Sequence, residues 1–169
     1  AITGGFMPMS VVCTTEEIYA AFLGSYESGK AFMHSHTYAG NPLACACANA
    51  VLDVLKRDDI LQKAKLLAPV VNRLFKETFM DIENVGEVRQ IGLINAIELV
   101  KDRESKEAFS PSCRLGYKIY QSALSQGLLL RPIGDVLYFN PPLNIELADI
   151  KKALNIARNA ITGELAKLS

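Results

Sequence analysis

The feature that most constrains this chain lies at its end, where Leu147, Ile150, Leu154, Ala157, Ile161, Leu165 and Leu168 recur every three or four residues. That spacing traces one face of a helix from about Glu146 to the C-terminus, and a helix with one apolar stripe needs a second layer to cover it. The segments just upstream can supply that layer. Val85 to Gln90 and Leu93 to Val100 alternate or run apolar around Gly92, which predicts two strands or one strand broken by a bulge. After a charged segment, Ser110-Pro111-Ser112 opens a helix carrying Leu115, Ile119, Ala123 and Leu124, with Gly127 as the left-handed residue just past its end. Leu128 to Arg131 and Val136 to Phe139 then form a hairpin over Pro132-Ile133-Gly134-Asp135, followed by the breaker Asn140-Pro141-Pro142. The order β-β-α-β-β-α segregates strands and helices as an α+β subdomain does.

Two helices precede this pattern. Asn41 is a natural N-cap and Pro42 suits the first helical position, where its missing N–H is no loss; the Ala-rich run to about Arg57 is nearly all apolar and is expected to be buried. A second helix begins at Asp58 or Asp59, with Ile60, Leu61, Ala64, Leu67, Ala68, Val71, Leu74 and Phe75 at helical spacing. Pro69 should kink it or force a fresh start. Nearer the N-terminus, residues 5 to 13 are apolar and β-prone, and Pro8 suits an edge strand or a bulge. Thr14 or Thr15 caps a short helix through Ile18, Phe22 and Leu23 that Gly24 ends. Gly24 to Gly40 reads as a long irregular loop, and loops of that length in compact domains are usually functional. The first forty residues look like the end of something larger.

Composition narrows the function classes. A chain of 169 residues, 50% hydrophobic and 21% charged, is ordinary globular material with enough length for a sizeable core. Its 18 basic residues balance 18 acidic ones, and no basic cluster offers the phosphate-neutralising face of a nucleic-acid binder. Apolar stretches such as Ile91 to Val100 fall far short of the roughly 20 residues that cross a bilayer. No secretory signal is evident at the N-terminus, and the chain reads as starting mid-sequence. Cys13, Cys45, Cys47 and Cys113 are irregularly spaced and read as reduced thiols of a cytoplasmic protein.

Two constellations can carry chemistry. In His34-Ser35-His36-Thr37-Tyr38-Ala39-Gly40-Asn41-Pro42, hydroxyls and backbone amides converge on a helix N-terminus, where free N–H groups and the macrodipole attract anions. The local rules leave two readings open here, a phosphate or carboxylate seat or an ordinary cap. A metal reading fails: Cys45 and Cys47 are two apart on a helix and point to roughly opposite faces, and no carboxylate pair completes a ligand set. Arg131 is the second candidate. Pro132 forces it into extended geometry, so it is either a rigid carboxylate clamp with Tyr138 on the opposing strand or an exposed strand-end arginine.

The start Ala1-Ile2-Thr3-Gly4-Gly5, the block His36-Thr37-Tyr38-Ala39-Gly40-Asn41-Pro42-Leu43-Ala44 and the segment Gly127 to Pro142 resemble the class III pyridoxal-phosphate aminotransferases of fold type I, in order and spacing along essentially the whole chain. Thr14-Thr15, Lys30-Ala31-Phe32-Met33-His34 and Leu130-Arg131-Pro132 with Tyr138 resemble the branch that serves biotin synthesis. The resemblance implies an α/β fold in which residues 1–50 end the large cofactor domain and residues 51–169 form the small α+β domain. It implies that the lysine joined to the cofactor directly precedes Ala1, so that this chain is a C-terminal portion, inactive alone and without a catalytic residue of that kind. It assigns the pyridoxal 5'-phosphate contact to Thr37, made across a homodimer interface, with His36 and Ser35 flanking it. Ser35 departs from the glycine usual there. Arg131, with Tyr138 and Ser35 nearby, is assigned to the carboxylate of 8-amino-7-oxononanoate, which would receive the amino group of S-adenosylmethionine. The competing expectations are another class III enzyme using an ω-amino acid, a diamine or lysine, and a non-catalytic interaction domain.

Overall fold

The computed structural model describes residues 2–168, which divide into two compact units, one ending at Asp58 and one beginning at Asp59. The first unit holds two helices, α1 (Glu16–Ala20) and α2 (Pro42–Arg57). Each starts where capping chemistry places it. The Thr15 hydroxyl accepts from the Ile18 N–H at 3.4 Å, and Asn41 Oδ1 accepts from the Leu43 N–H at 3.0 Å with Pro42 in the first turn. Lys56 and Arg57 close α2 at the negative end of its dipole.

Two expectations fail in this unit. Residues 5 to 13 form no strand, because a β-prone segment needs a ladder partner and none pairs with it among the described residues. Nor is α2 buried: Ala44 and Ala48 are, but Leu43 is 71% exposed and Leu52 49%. Within its own unit the helix packs on little more than the turn at Thr3, whose carbonyl accepts from Cys47 Sγ at 3.4 Å, and on Gly4 beside Val51. Phe6, Val12, Tyr26, Phe32 and Met33 also lie exposed.

The second unit is a helix layer on a four-stranded antiparallel sheet. Its elements are α3 (Ile60–Phe79), β1 (Val85–Ile91), β2 (Ile94–Leu99), α4 (Leu115–Ser125), β3 (Arg131–Ile133), β4 (Val136–Phe139) and α5 (Leu147–Leu165), and the strand order is β1-β2-β4-β3. Ile97 and Leu137 are opposite one another on the covered face and fully buried, with Val71, Phe75 and Phe79 of α3, Ile119 of α4 and Ile161 of α5 in the same core. The α5 stripe is thus covered chiefly by its neighbours α3 and α4, while those two helices meet the sheet. Phe75 meets Phe139 edge-on, with ring centres 4.7 Å apart. Arg158 of α5 clamps Asp81 with paired 2.7 Å hydrogen bonds, and this holds the Asp81 carboxyl below its ordinary range.

Around Gly92 the chain makes two strands rather than one bulged strand, Ile91 pairing with Ile94 across a turn that Gly92 enters at φ +56°. Pro69 forces no fresh start. It lies on the exposed side of a continuous α3, so the carbonyl its missing N–H leaves, that of Lys65, belongs to an exposed residue, while buried Ala68 and Val71 hold the helix on either side. Strand pairing in the second hairpin begins only at Arg131, because the Leu128 N–H is spent on the Ala123 carbonyl, 2.9 Å away, in closing α4 past Gly127. The start of α4 is also delayed: Pro111–Cys113 is a single 3-10 turn, and Arg114 turns the chain through a left-handed φ of +46°. Among the described residues no helix is long and apolar enough to cross a membrane.

One glycine is required by close approach. A Cβ on Gly116 would stand 2.1 Å from the Gly134 carbonyl oxygen, where the Gly116 N–H donates to Asp135 Oδ1 at 3.1 Å. Gly163 in α5 has nothing within 4 Å of the same position. Gly116→Ala is therefore expected to lower stability by about 1–3 kcal/mol, since backbone must move. Gly163→Ala should raise it by about 0.5–1 kcal/mol through helix propensity. Urea unfolding of the two variants checks both signs.

Candidate functional sites

The first site is the loop that feeds α2. Its last turn is ordered by the Ala39 N–H bonding to the His36 carbonyl at 2.9 Å and the Asn41 N–H to the Tyr38 carbonyl at 3.1 Å, with Gly40 at φ +72°. This turn gathers Ser35, His36 and Thr37 at one place, all exposed. None of their side chains has a hydrogen-bond partner among the described residues, so two hydroxyls and an imidazole stand ready for something outside the chain. No Asp or Glu occurs between Glu27 and Asp53. A doubly charged phosphate would meet donors and a positive helix end here, with no carboxylate in the segment to repel it, so the donor set is of a kind that suits the phosphate of pyridoxal 5'-phosphate.

The second site lies on the sheet of the C-terminal unit. Arg131 and Tyr138 are direct partners across the β3–β4 ladder, and the same row continues through Ala96 to Arg89. Alternation along β4 sends Leu137 and Phe139 to the helix-covered face and Tyr138, with Arg131 beside it, to the other. Arg131 differs from every other arginine described. Arg57, Arg73 and Arg158 each pair with a carboxylate, and Arg89 is held by both Glu87 and Glu98. Arg103 donates to the Met80 and Ile82 carbonyls, and Arg114 lies 4.3 Å over the Tyr117 ring. Arg131 is exposed and has no such partner among the described residues, which leaves its planar fork of donors free for a carboxylate.

Sequence reasoning missed a groove of about 430 Å³ at the ends of β3 and β4, lined by Leu129, Leu130, Phe139, Pro141, Pro142 and Leu154 among others, with Arg131 and Tyr138 also in its wall. The segments that build it have local patterns pointing elsewhere: Leu128-Leu129-Leu130 looks like a strand and Asn140-Pro141-Pro142 like a mere breaker. Also unforeseen is Asn95, fully buried on the covered face, whose amide donates to the Leu93 carbonyl at 3.1 Å while Oδ1 finds no partner among the described residues.

The family model for aminotransferase class-III matches residues 1–161, and the chain belongs to that family, whose members depend on pyridoxal 5'-phosphate. It is 42% identical over 153 residues to the adenosylmethionine-8-amino-7-oxononanoate aminotransferase of Geobacter sulfurreducens, covering 88% of this chain and 33% of that protein. It is 38% identical over 162 residues to the enzyme of the same name from Nitratidesulfovibrio vulgaris, covering 95% of this chain and 29% of the relative. The crystal structure of the Methanocaldococcus jannaschii protein of that name superimposes with a TM-score of 0.90 at 34% identity, over 96% of this chain and 37% of that one. The chain thus spans about a third of the length of these relatives.

An arginine that pairs with nothing contributes little to folding. Arg131→Ala should leave the urea midpoint unchanged, within about 0.5 kcal/mol, whereas Arg158→Ala should lower it measurably by releasing Asp81 and the Thr78 carbonyl.

Proposed function

We propose that this chain is the C-terminal portion of a cytoplasmic, homodimeric aminotransferase that moves the amino group of S-adenosylmethionine to 8-amino-7-oxononanoate, giving 7,8-diaminononanoate for biotin synthesis. The observation that carries the reading is 38–42% identity, over nearly all of this chain, to relatives named for that reaction. The unit ending at Asp58 is then the end of the large cofactor domain and the unit beginning at Asp59 the small domain.

When bound, pyridoxal phosphate supplies the electron sink for the amino transfer. The chain's own residues bind and orient. The Thr37 hydroxyl donates to the phosphate across the dimer interface, with His36 and Ser35 beside it and α2's N-terminus adding its positive dipole. Arg131 receives the carboxylate of the amino acceptor through paired N–H donors, Tyr138 offers a hydroxyl to the same group, and Ser35 is a further hydroxyl assigned to the substrate. Because the carboxylate lies remote from the reacting carbon and is charged throughout, Arg131 supplies binding that is equal in ground and transition states. Its loss should therefore appear in KM rather than in kcat.

Two measurements on the full-length enzyme test this. S-adenosylmethionine alone should bleach the visible band of the bound cofactor; a band that persists with this donor and bleaches with a diamine or an ω-amino acid would move the function to another class III reaction. In steady state, Arg131→Ala should raise KM for 8-amino-7-oxononanoate about 10- to 100-fold, the worth of a charged hydrogen-bonded pair, with KM for the donor near its original value. Equal losses for both substrates would sink the assignment of Arg131.

A further inference from the structure

Between Gly29 and Asn41 the chain has few restraints: two backbone hydrogen bonds close the turn around Thr37, and ring contacts lead into it. Besides the turn at His36, the backbone contributes a bond from the His34 N–H to the Phe32 carbonyl at 2.9 Å, and among the described residues no side chain of this stretch makes a hydrogen bond. What runs through it is a ladder of rings. Phe22, just past α1, lies 5.1 Å from Phe32; Phe32 lies 5.4 Å from His34 at 61°; and His34 lies 4.9 Å from His36 at 81°, edge to face. The ladder ends at the residue before Thr37.

We propose that His34 is a positioning residue, whose ring, set edge-on between Phe32 and His36, fixes the turn that presents Thr37 to the phosphate of the cofactor. The proposal rests on the reading of Thr37 given above and adds to it the element that orders the loop. A hydroxyl donor is useful only where it waits in place, because a loop that must be ordered by its ligand spends binding energy on lost conformational freedom. Edge-to-face contacts prefer this geometry over free rotation, and His34 joins two of them. The role needs an aromatic ring at position 34 and does not need its nitrogens, since neither makes a hydrogen bond among the described residues.

The test is titration of the full-length apoenzyme with pyridoxal 5'-phosphate and, separately, with pyridoxal, which lacks the phosphate. His34→Ala and His34→Gln should weaken binding of the phosphorylated form about 3- to 10-fold, the range of one or two ring contacts, and leave pyridoxal unchanged. His34→Phe should restore the phosphate preference to within about two-fold, and Phe32→Leu, which breaks the ladder one ring earlier, should repeat the loss even where His34→Ala does not fold. Thr37→Ala serves as the reference. If it removes the phosphate preference while the His34 and Phe32 variants keep it, or if Gln restores it where Phe does not, the positioning role is wrong and the Thr37 contact stands. Equal weakening of both ligands by the His34 and Phe32 variants also overturns the proposal. If Thr37→Ala itself keeps the preference, the phosphate reading fails and this inference fails with it.

Discussion

The C-terminal unit depends on one-sided burial of its antiparallel sheet. Ile97 and Leu137 face each other across β2 and β4 with no exposed surface, against a helix layer that includes Val71, Phe75 and Ile119. Because side chains alternate with a period of two, burying that pair fixes the register of every strand: a slip of one residue would turn Leu137 outward and drive Tyr138 into the core. The free guanidinium of Arg131 is a consequence of the same constraint. Its position opposite Tyr138 follows from the pairing of Pro132 with Leu137 one step along the ladder, so core packing rather than any contact of its own sets where the charge stands.

The N-terminal unit follows the opposite logic. It buries Thr3, Ala44 and Ala48 and little else, and its order comes from caps, turns and ring contacts. Such a segment contributes little stability, and for that reason its polar groups are not consumed by the fold. The hydroxyls of Ser35 and Thr37 have no hydrogen-bond partner among the described residues of their unit. Burial is thus concentrated in the C-terminal unit.

How far the sequence is legible follows the same division. Caps and stripes depend on neighbours in the chain, so Asn41-Pro42 and the Leu147 to Leu165 stripe are read correctly from local rules alone. Features that depend on a distant partner are not. Among the described residues no strand pairs with the β-prone residues 5 to 13 and no layer covers α2, and the start of β3 is decided by where α4 spends the Leu128 N–H. Gly116 looks like an unremarkable helical residue until the Gly134 carbonyl is seen against it. For the sites, local chemistry left Thr37 and Arg131 each with two readings. What the structure adds is a comparison among like residues, which no single motif contains: the other described arginines are engaged, and Arg131 is not.

Exposed charge leaves a fold nearly indifferent to pairing. A surface ion pair is worth about 0–1 kcal/mol, so a fold gains little by pairing an arginine and loses little by leaving one alone. Pro132 and the ladder to Tyr138 hold the Arg131 backbone extended, so only side-chain freedom remains to be lost when a carboxylate arrives. Arg89, whose Nη1 donates to both Glu87 and Glu98, shows the alternative on the same sheet face: its charge is already met by two carboxylates, so a further one gains less there. Two arginines three strands apart in one row therefore have different capacities, one closed within the fold and one open to a ligand, and the difference arises from which neighbours the register supplies.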